Sequence, residues 1–269
     1  MNIHNISSES CFSAFHFQRL FQAITGFSVQ EYIRNRRLSE AAVLLKETRM
    51  NILEIAISYQ YGSQEAFTRA FTNRYGMTPA RYRRGETKVS YQNKMNFLDY
   101  KNKMEGDLMI NRPEIIQLNK IYIIGYEYET NLNNEKYFEE IPGLYFDFGR
   151  NEYYLRIPKK IAPNISYGIS TNFHDDGRFS FIVGEAVQEF TAELENGFVH
   201  VEIPEGKYAE FKINGPADLV QNTRRYIYGT WLPNSNYERR EGPDFEVTDV
   251  LNSSFPNEMK MRIYIPIKE

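Results

Sequence analysis

The sequence predicts a multidomain chain: an all-α pair of helix-turn-helix units, then an α+β domain whose two halves each run strand-helix-strand-strand. Three observations lead there. The first ninety residues contain an internal repeat at an offset of about fifty. The charge changes sign along the chain, from a net +5 over residues 1–88 to −8 beyond. After about residue 111 helical periodicity gives way to alternating apolar runs rich in aromatic and β-branched residues.

The repeat fixes the first set of elements. Ser13, Phe17, Arg19, Phe21, Gly26, Tyr32 and Arg34 recur as Ser63, Phe67, Arg69, Phe71, Gly76, Tyr82 and Arg84. Upstream of Ser13 the offset is 49, pairing Ile6 with Ile55 and Phe12 with Tyr61, so Gly62 is an extra residue at a turn. Each unit reads as a short helix, a tight turn and a second helix stopped by glycine. In the first unit these are "IHNISSES", the turn at "CF", and "SAFHFQRLFQAIT" ending at Gly26. "SVQEYIRNRRLSEAAVLLKE" opens with a capping box, Ser28 to Glu31, and reads as one long helix. In the second unit Asn51 caps "ILEIAISY" with Glu54 three residues on, "QYG" turns, and a helix from Ser63 stops at Gly76 before Pro79. The repeat also predicts about twenty residues ahead of Met1, a counterpart to the long helix before unit two.

The helix faces give these units a chemistry. At 100° per residue Phe17, Leu20, Phe21 and Ile24 share one arc, expected to be buried, and Phe15, Gln18, Arg19 and Gln22 share the other. In unit two Ala66, Phe67, Ala70 and Phe71 oppose Gln64, Glu65, Thr68, Arg69 and Thr72. Gln and Arg make paired hydrogen bonds to adenine and guanine edges, a phenylalanine can pack on a thymine methyl, and a glutamate can accept from a cytosine amino group. Two linked helices of this kind suit two major-groove half-sites about one turn apart. Two solvated faces of an ordinary helical bundle are the alternative.

"EYIRNRRLSEAAVLLKET", "ILEIAISYQYGSQEAFTRAF" and "YGMTPARYRR" resemble the DNA-binding domain of the AraC/XylS family of transcription regulators, over residues 2–84. By position the resemblance implies Phe15, Gln18 and Arg19 in a first recognition helix, with Gln22 on the same face. It implies Gln64, Glu65, Thr68 and Arg69 in a second. Arg34, Arg36, Arg37, Arg81, Arg83 and Arg84 are candidates for phosphate contacts or for surface ion pairs. Cys11 and Gln60 stand at turns where the family often has glycine, so both turns are expected to be strained or reshaped.

Composition narrows the rest. Cys11 is the single cysteine, which excludes an internal disulfide and fits a reducing compartment. No basic region followed by an apolar run opens the chain, and stretches such as "AAVLL" are too short to cross a bilayer. A cytoplasmic protein without a membrane partner is expected. Residues 87–110 read as a polar, partly helical linker between a domain at 1–86 and a domain at 111–269. Strands are expected at "IYIIGYEYET", "ISYGIST", "RFSFIVGEAV", "FVHVEIP", "YAEFKI", "DFEVTDV" and "KMRIYIPI", with helices near 135–148 and 216–231.

No catalytic constellation, metal-ligand spacing or phosphate loop is visible in this half, so no cofactor and no metal are expected. What stands out is acid among aromatics, and carboxylates beside Tyr, Phe and Trp suit a lipophilic cation. "IPGLYFDF", "ISYGIST", "IPEGKYAEFKINGP", "YGTWLPNSNYE", "GPDFEV" and "RIYIPI" are similar to the gyrase-inhibitor-like effector-binding domain, over about 141–267. That resemblance implies a pocket between two halves, with Glu246 as its acid and Tyr145, Tyr167 and Trp231 as ring contacts. Tyr145 stands where many members have tryptophan. Together the two resemblances imply a multidrug-sensing transcription regulator, an activator rather than a repressor and not an enzyme. Duplex DNA, RNA polymerase and a small effector would be its partners. A protein-interaction module, or a hydrolase with Glu246 as general base, are the alternatives for the second domain.

Overall fold

The computed structural model describes residues 6–7, 14–85, 87–95, 112–132, 136–174, 176–190 and 193–268, without the side chains of 14–16. The chain forms two compact units, Val29–Asn96 and a second made of Met1–Ser28 with Phe97–Glu269. The helix labelled α1, Ala14–Thr25, therefore packs with the sheet unit rather than with the other helices. Of the short helix expected before it, Ile6 and Ser7 are helical. The turn at Cys11 and Phe12 lies outside the described residues.

The Val29–Asn96 unit is helical throughout its regular structure: α2 (Val29–Glu47), α3 (Ile52–Ser58), α4 (Gln64–Tyr75) and α5 (Pro79–Arg84). Each start has its own cap. The Asn51 side chain accepts from the Glu54 amide at 2.8 Å while Glu54 returns the bond to the Asn51 amide at 2.8 Å. Ser63 caps α4 through the Ala66 amide at 3.1 Å, and Thr78 caps α5 with Pro79 at its first position. Gly76 ends α4 at φ +70, where a side chain would be strained. Gln60 takes φ +64 in the turn between α3 and α4, the strained backbone expected at a position where glycine is common. Its side chain accepts from Arg37. Leu38, Ala41, Ala42, Leu45, Ile55, Ala56, Phe67, Phe71 and Tyr82 form the core. Each fully buried phenylalanine there contributes about 1.5–3 kcal/mol.

The first part of the expected linker is not helical. Residues 87–95 run without regular structure along α2 and are pinned to it. The Gln92 amide donates to Ser39 Oγ at 2.8 Å, the Met95 amide donates to the Tyr32 hydroxyl at 3.1 Å, and the Tyr91 and Tyr82 hydroxyls meet at 2.9 Å. The strap is held to α2 by its own backbone, the Gln92 and Met95 amides and the Gln92 carbonyl, so its side-chain composition does not reveal it.

The other unit is an antiparallel sheet with helices on one face. Its described strands are β1 (Glu114–Leu118), β2 (Ile121–Asn131), β3 (Ile165–Thr171), β4 (Arg178–Val187), β5 (Phe198–Ile203), β6 (Gly206–Gly215), β7 (Glu238–Arg239), β8 (Asp244–Asp249) and β9 (Met259–Lys268). They order as β1-β6-β9-β8-β3-β4-β2-β5, with β7 beside β9. The first half is β2, α6 (Lys136–Arg150), β3 and β4; the second is β6, α7 (Asp218–Tyr226), β8 and β9. The strand-helix-strand-strand motif thus occurs twice, and the halves join along the β3–β8 pair. Helix α6 buries Tyr137 and Phe148 against Phe179, Phe181 and Val183. Helix α7 continues through a wider turn at Ile227–Trp231 and buries Ile227, Tyr228 and Leu232 against Phe211, Ile213, Ile263 and Ile265.

Candidate DNA interface and ligand cleft

On α4 the expected reading face is available. Gln64, Glu65 and Arg69 are exposed and Thr68 is half-buried, while Phe67 and Phe71 are fully buried on the other side. A backbone hydrogen bond at its own amide and the Ser63 hydroxyl hold the Glu65 carboxyl below its ordinary range, so it stands ionised at the N-terminal turn, where the helix dipole favours it. The surrounding arginines divide into two groups. Arg34, Arg81 and Arg84 are exposed. Arg36 is committed to Glu40 at 2.5 Å and the Gln92 carbonyl at 2.6 Å. Arg83 ties α5 to the carbonyls of Leu45 at 3.1 Å and Met50 at 2.6 Å. Those two staple the fold.

On α1 the expected exposure is reversed. Gln18, Arg19 and Gln22 are each only 4% exposed, whereas Phe17, Leu20, Phe21 and Ile24 remain half-buried. The polar arc faces protein, and from the apolar arc Leu20 packs against the core of the second half. Gln18 Nε2 donates to the His174 carbonyl and Gln22 Nε2 to the Leu132 carbonyl, both at 3.3 Å. Arg19 Nη2 lies 3.8 Å from Asp244 Oδ2, and its guanidinium stands 5.2 Å from the Phe173 ring centre and 5.9 Å from that of Tyr228. Carbonyls answer the two buried glutamine donors, whereas Arg19 meets Asp244 as an ion pair beyond hydrogen-bond distance. The Phe15 side chain lies outside the described residues.

The cleft between the halves is built on β8. Alternation puts Asp244, Glu246 and Thr248 on the helix-covered face and Phe245 and Val247 on the other. Glu246, 3% exposed, sits in register with Gly168 on β3, so it lies on the seam. From the first half, the Tyr145 hydroxyl on α6 donates to Glu246 Oε1 at 2.9 Å. From the second, Arg224 Nη2 on α7 donates to Oε2 at 2.5 Å. Gly168 makes room for this: a Cβ there would lie 2.1 Å from the Tyr145 hydroxyl and 3.0 Å from Glu246 Cγ. Burial, then the adjacent Glu246 carboxylate, push the Tyr145 phenol well above its ordinary value. Burial disfavours charge on Arg224, but Glu246 outweighs it and raises the guanidinium further.

Asp244, one pleat away, is ligated more heavily. Arg239 donates to Oδ1 through Nε at 3.2 Å and Nη2 at 2.8 Å, and the Tyr228 hydroxyl donates to Oδ2. Burial opposes its charge, yet Arg239 and then Arg19 hold its carboxyl below the usual range. A cavity of about 10 Å³, lined by Arg19, Gln22, Tyr137, Arg224, Arg225 and Tyr228 among others, adjoins this cluster. That is room for about one water. A larger hollow of about 190 Å³ lies on the flank of the first half beside Ile124, Leu194 and Phe198.

Of the four ring and acid positions expected in the pocket, the structure brings together Tyr145 and Glu246. Tyr167 lies on the opposite face of the sheet, where its ring stacks 6.2 Å from Phe245. Trp231 packs edge-on to Phe211 at 5.1 Å and beside Tyr237, in the core of the second half. Arg224, Asp244, Arg239 and Tyr228 were not expected at the site. Their sequence signal is faint: paired arginines on an amphipathic helix and an acid two residues before Glu246. Among the described residues no group of histidines, cysteines and carboxylates is placed to hold a metal ion.

Comparison with known proteins places this architecture. The family model for integron-associated effector binding protein matches residues 114–267, and a helix-turn-helix domain model matches residues 6–85. The transcriptional regulator Rob of Salmonella typhimurium is 27% identical over 100% of this chain and 92% of its own length. The HTH-type transcriptional activator AarP of Providencia stuartii is 37% identical over 87 residues, 32% of this chain and 64% of AarP. Among solved structures, SAV2435 bound to tetraphenylphosphonium aligns with 59% of this chain and 94% of its own at 15% identity, with a TM-score of 0.49. The relatives over the whole chain and over the helical part are transcription regulators, with Rob sharing the order of the two domains. This chain belongs to the integron-associated effector binding protein family, with a helix-turn-helix domain of the AraC type preceding the effector-binding domain.

Proposed function

We propose that this protein is a cytoplasmic, sequence-specific transcription activator whose effector domain senses a lipophilic cation. DNA is read by α4 through Gln64, Glu65, Thr68 and Arg69 and by α1 through Phe15, Gln18, Arg19 and Gln22, and bound protein acts on RNA polymerase. The functional modules are residues 1–86 and 111–269, joined through 87–110. The observation that carries the sensing is the Glu246 carboxylate, sealed at the seam between a tyrosine of one half and an arginine of the other.

A buried carboxylate needs a cation, and Arg224 supplies one from within. An organic cation entering over Tyr145 would replace it and spread the halves, since the cavity present holds about one water. Tyr145 and Glu246 then bind the ligand directly, while Trp231 reports it from the second-half core.

Two measurements on the full chain test this reading. Trp231, the single tryptophan, is followed during titration with a panel of lipophilic cations. Saturable quenching that is lost in Glu246→Gln combined with Arg224→Met supports the reading. The double variant removes both charges and leaves no lone buried ion to unfold the domain. No saturable response to any cation refutes the sensing. Selection of duplexes from a random pool, with Arg69→Ala as control, tests the DNA reading. Failure to enrich any sequence refutes it.

A further inference from the structure

The polar face of α1 is the unusual feature of the molecule. Three donors that suit base edges are spent on protein acceptors: Gln18 on the His174 carbonyl, Gln22 on the Leu132 carbonyl and Arg19 on Asp244. A helix cannot insert this face in a major groove while it lies in the cleft. The two states exclude each other.

The place taken by Arg19 is a cation site in its own right. Its planar guanidinium stands beside a buried carboxylate and within cation–π range of two rings, Phe173 from the loop after β3 and Tyr228 from the turn after α7. Those rings come one from each half. Next to it, Arg224 Nη1 is buried, has no hydrogen-bond partner among the described residues, and belongs to a side chain that lines the same one-water cavity. The cleft is therefore closed by a side chain with the chemistry of a ligand.

We propose that the Asp244–Tyr228–Phe173 site is a cation subsite of the effector cleft, occupied in this structure by Arg19, and that a planar aryl cation of the amidinium or guanidinium class expels Arg19 and releases α1 for DNA. This rests on the reading of α1 as a DNA-reading helix and of the cleft as the sensor. Linkage then requires reciprocity: the factor by which the cation tightens DNA binding equals the factor by which DNA tightens cation binding. No new contact between cation and DNA is needed, because both draw on the same released state.

The test uses the full chain, phenylguanidinium as probe, and a duplex enriched from a random pool by the wild type. Amide hydrogen exchange over residues 14–25 reads the closure directly, with residues 64–75 as internal reference. Phe173→Ala is expected to speed exchange over 14–25 about fivefold, the factor carried by one cation–π contact. Phe173→Tyr keeps the ring and the wild-type rate. Saturating phenylguanidinium accelerates the same amides in the wild type and has little further effect in Phe173→Ala. DNA affinity rises by a matching factor in each case.

If Phe173→Ala fails to fold, Gln22→Ala removes the bond to the Leu132 carbonyl without placing a charge beside Arg224 and Arg225, and should likewise speed exchange. Unchanged exchange over 14–25 in the variants and with the probe overturns the proposal, even if DNA binds well. If no form binds any duplex, the regulator reading has failed instead, and the exchange data still decide whether Arg19 holds the cleft.

Discussion

Replacing Gly168 by alanine tests the seam with a single methyl group. Gly168 is an ordinary strand residue outside the left-handed region, so alanine brings no backbone strain and, by stiffening the unfolded chain, contributes about 0.4–1 kcal/mol of stability. Its Cβ, however, would stand 2.1 Å from the Tyr145 hydroxyl, 2.7 Å from Phe181 Cζ and 3.0 Å from Glu246 Cγ. The hydroxyl must move, and with it goes the 2.9 Å bond to Glu246, a charge-assisted bond of about 1.5–3 kcal/mol. Overpacking against Phe181 adds about 1–3 kcal/mol. The net expectation is a loss of about 2–5 kcal/mol. In urea, with a slope of about 2 kcal/mol per molar, the midpoint of the Trp231 transition falls by about 1–2.5 M. Tyr145→Phe removes the atom that alanine hits, and by itself costs the same bond, about 1.5–3 kcal/mol, while Arg224 still serves Glu246. The double variant should therefore lose at least about 1 kcal/mol less than the sum of the singles. Strict additivity, or a Gly168→Ala cost below about 0.5 kcal/mol, would refute the account of how the halves are joined.

Three further outcomes are expected. Asn51→Ala removes the side-chain acceptor that caps the Glu54 amide at the start of α3, leaves the backbone half of the capping box in place, and should cost the helical unit about 1 kcal/mol, read as a lower melting temperature of its far-ultraviolet signal. Asp244 has a folded pKa below its unfolded value of about 3.9, so its stabilisation is complete above that value and is lost as pH falls through the folded one. The wild type should weaken over that acid range by Trp231-monitored unfolding. Asp244→Asn should be less stable at pH 7 with a flatter acid limb, and parallel limbs would count against this assignment. Arg69→Ala on exposed α4 should weaken binding to a selected duplex about tenfold or more while leaving stability within about 0.5 kcal/mol. A uniform loss across unrelated duplexes, with a shallower salt slope, would make Arg69 a phosphate contact instead.

Much of this architecture is legible in the sequence because the signals are local. Strands β2, β4 and β9 are long alternating or apolar runs, and the helices after Asn51 and Ser63 start where the sequence places them. Absent from the reading are β1, five residues at the sheet edge, β7, two residues beside β9, and the six-residue α5, where Pro79 reads as the residue beyond a helix stop although Thr78 caps a new helix. The site is less legible because faces depend on register. Glu246 and Tyr167 belong to neighbouring strands, and only the pairing of Gly168 with Glu246 reveals that Tyr167 points through the other side. Arg224 is hidden for a similar reason: a polar side chain on an amphipathic helix gives no sign that a carboxylate waits beneath it.

The repeat itself marks the limit of sequence reasoning. Arg19 and Arg69 occupy equivalent positions in helices with the same pattern of apolar and polar residues, yet one is buried beside Asp244 and the other is exposed. Periodicity locates a polar arc but says nothing of what answers it. A glutamine that can bond an adenine edge can equally bond a carbonyl, as Gln18 and Gln22 do, and an arginine that can bond guanine can equally bond aspartate. This equivalence is what makes a switch chemically cheap. On the proposed switch, DNA and the cleft would offer the same kind of partner to the same side chains, so the balance between them would turn on small differences, and one displaced guanidinium would be enough to tip it.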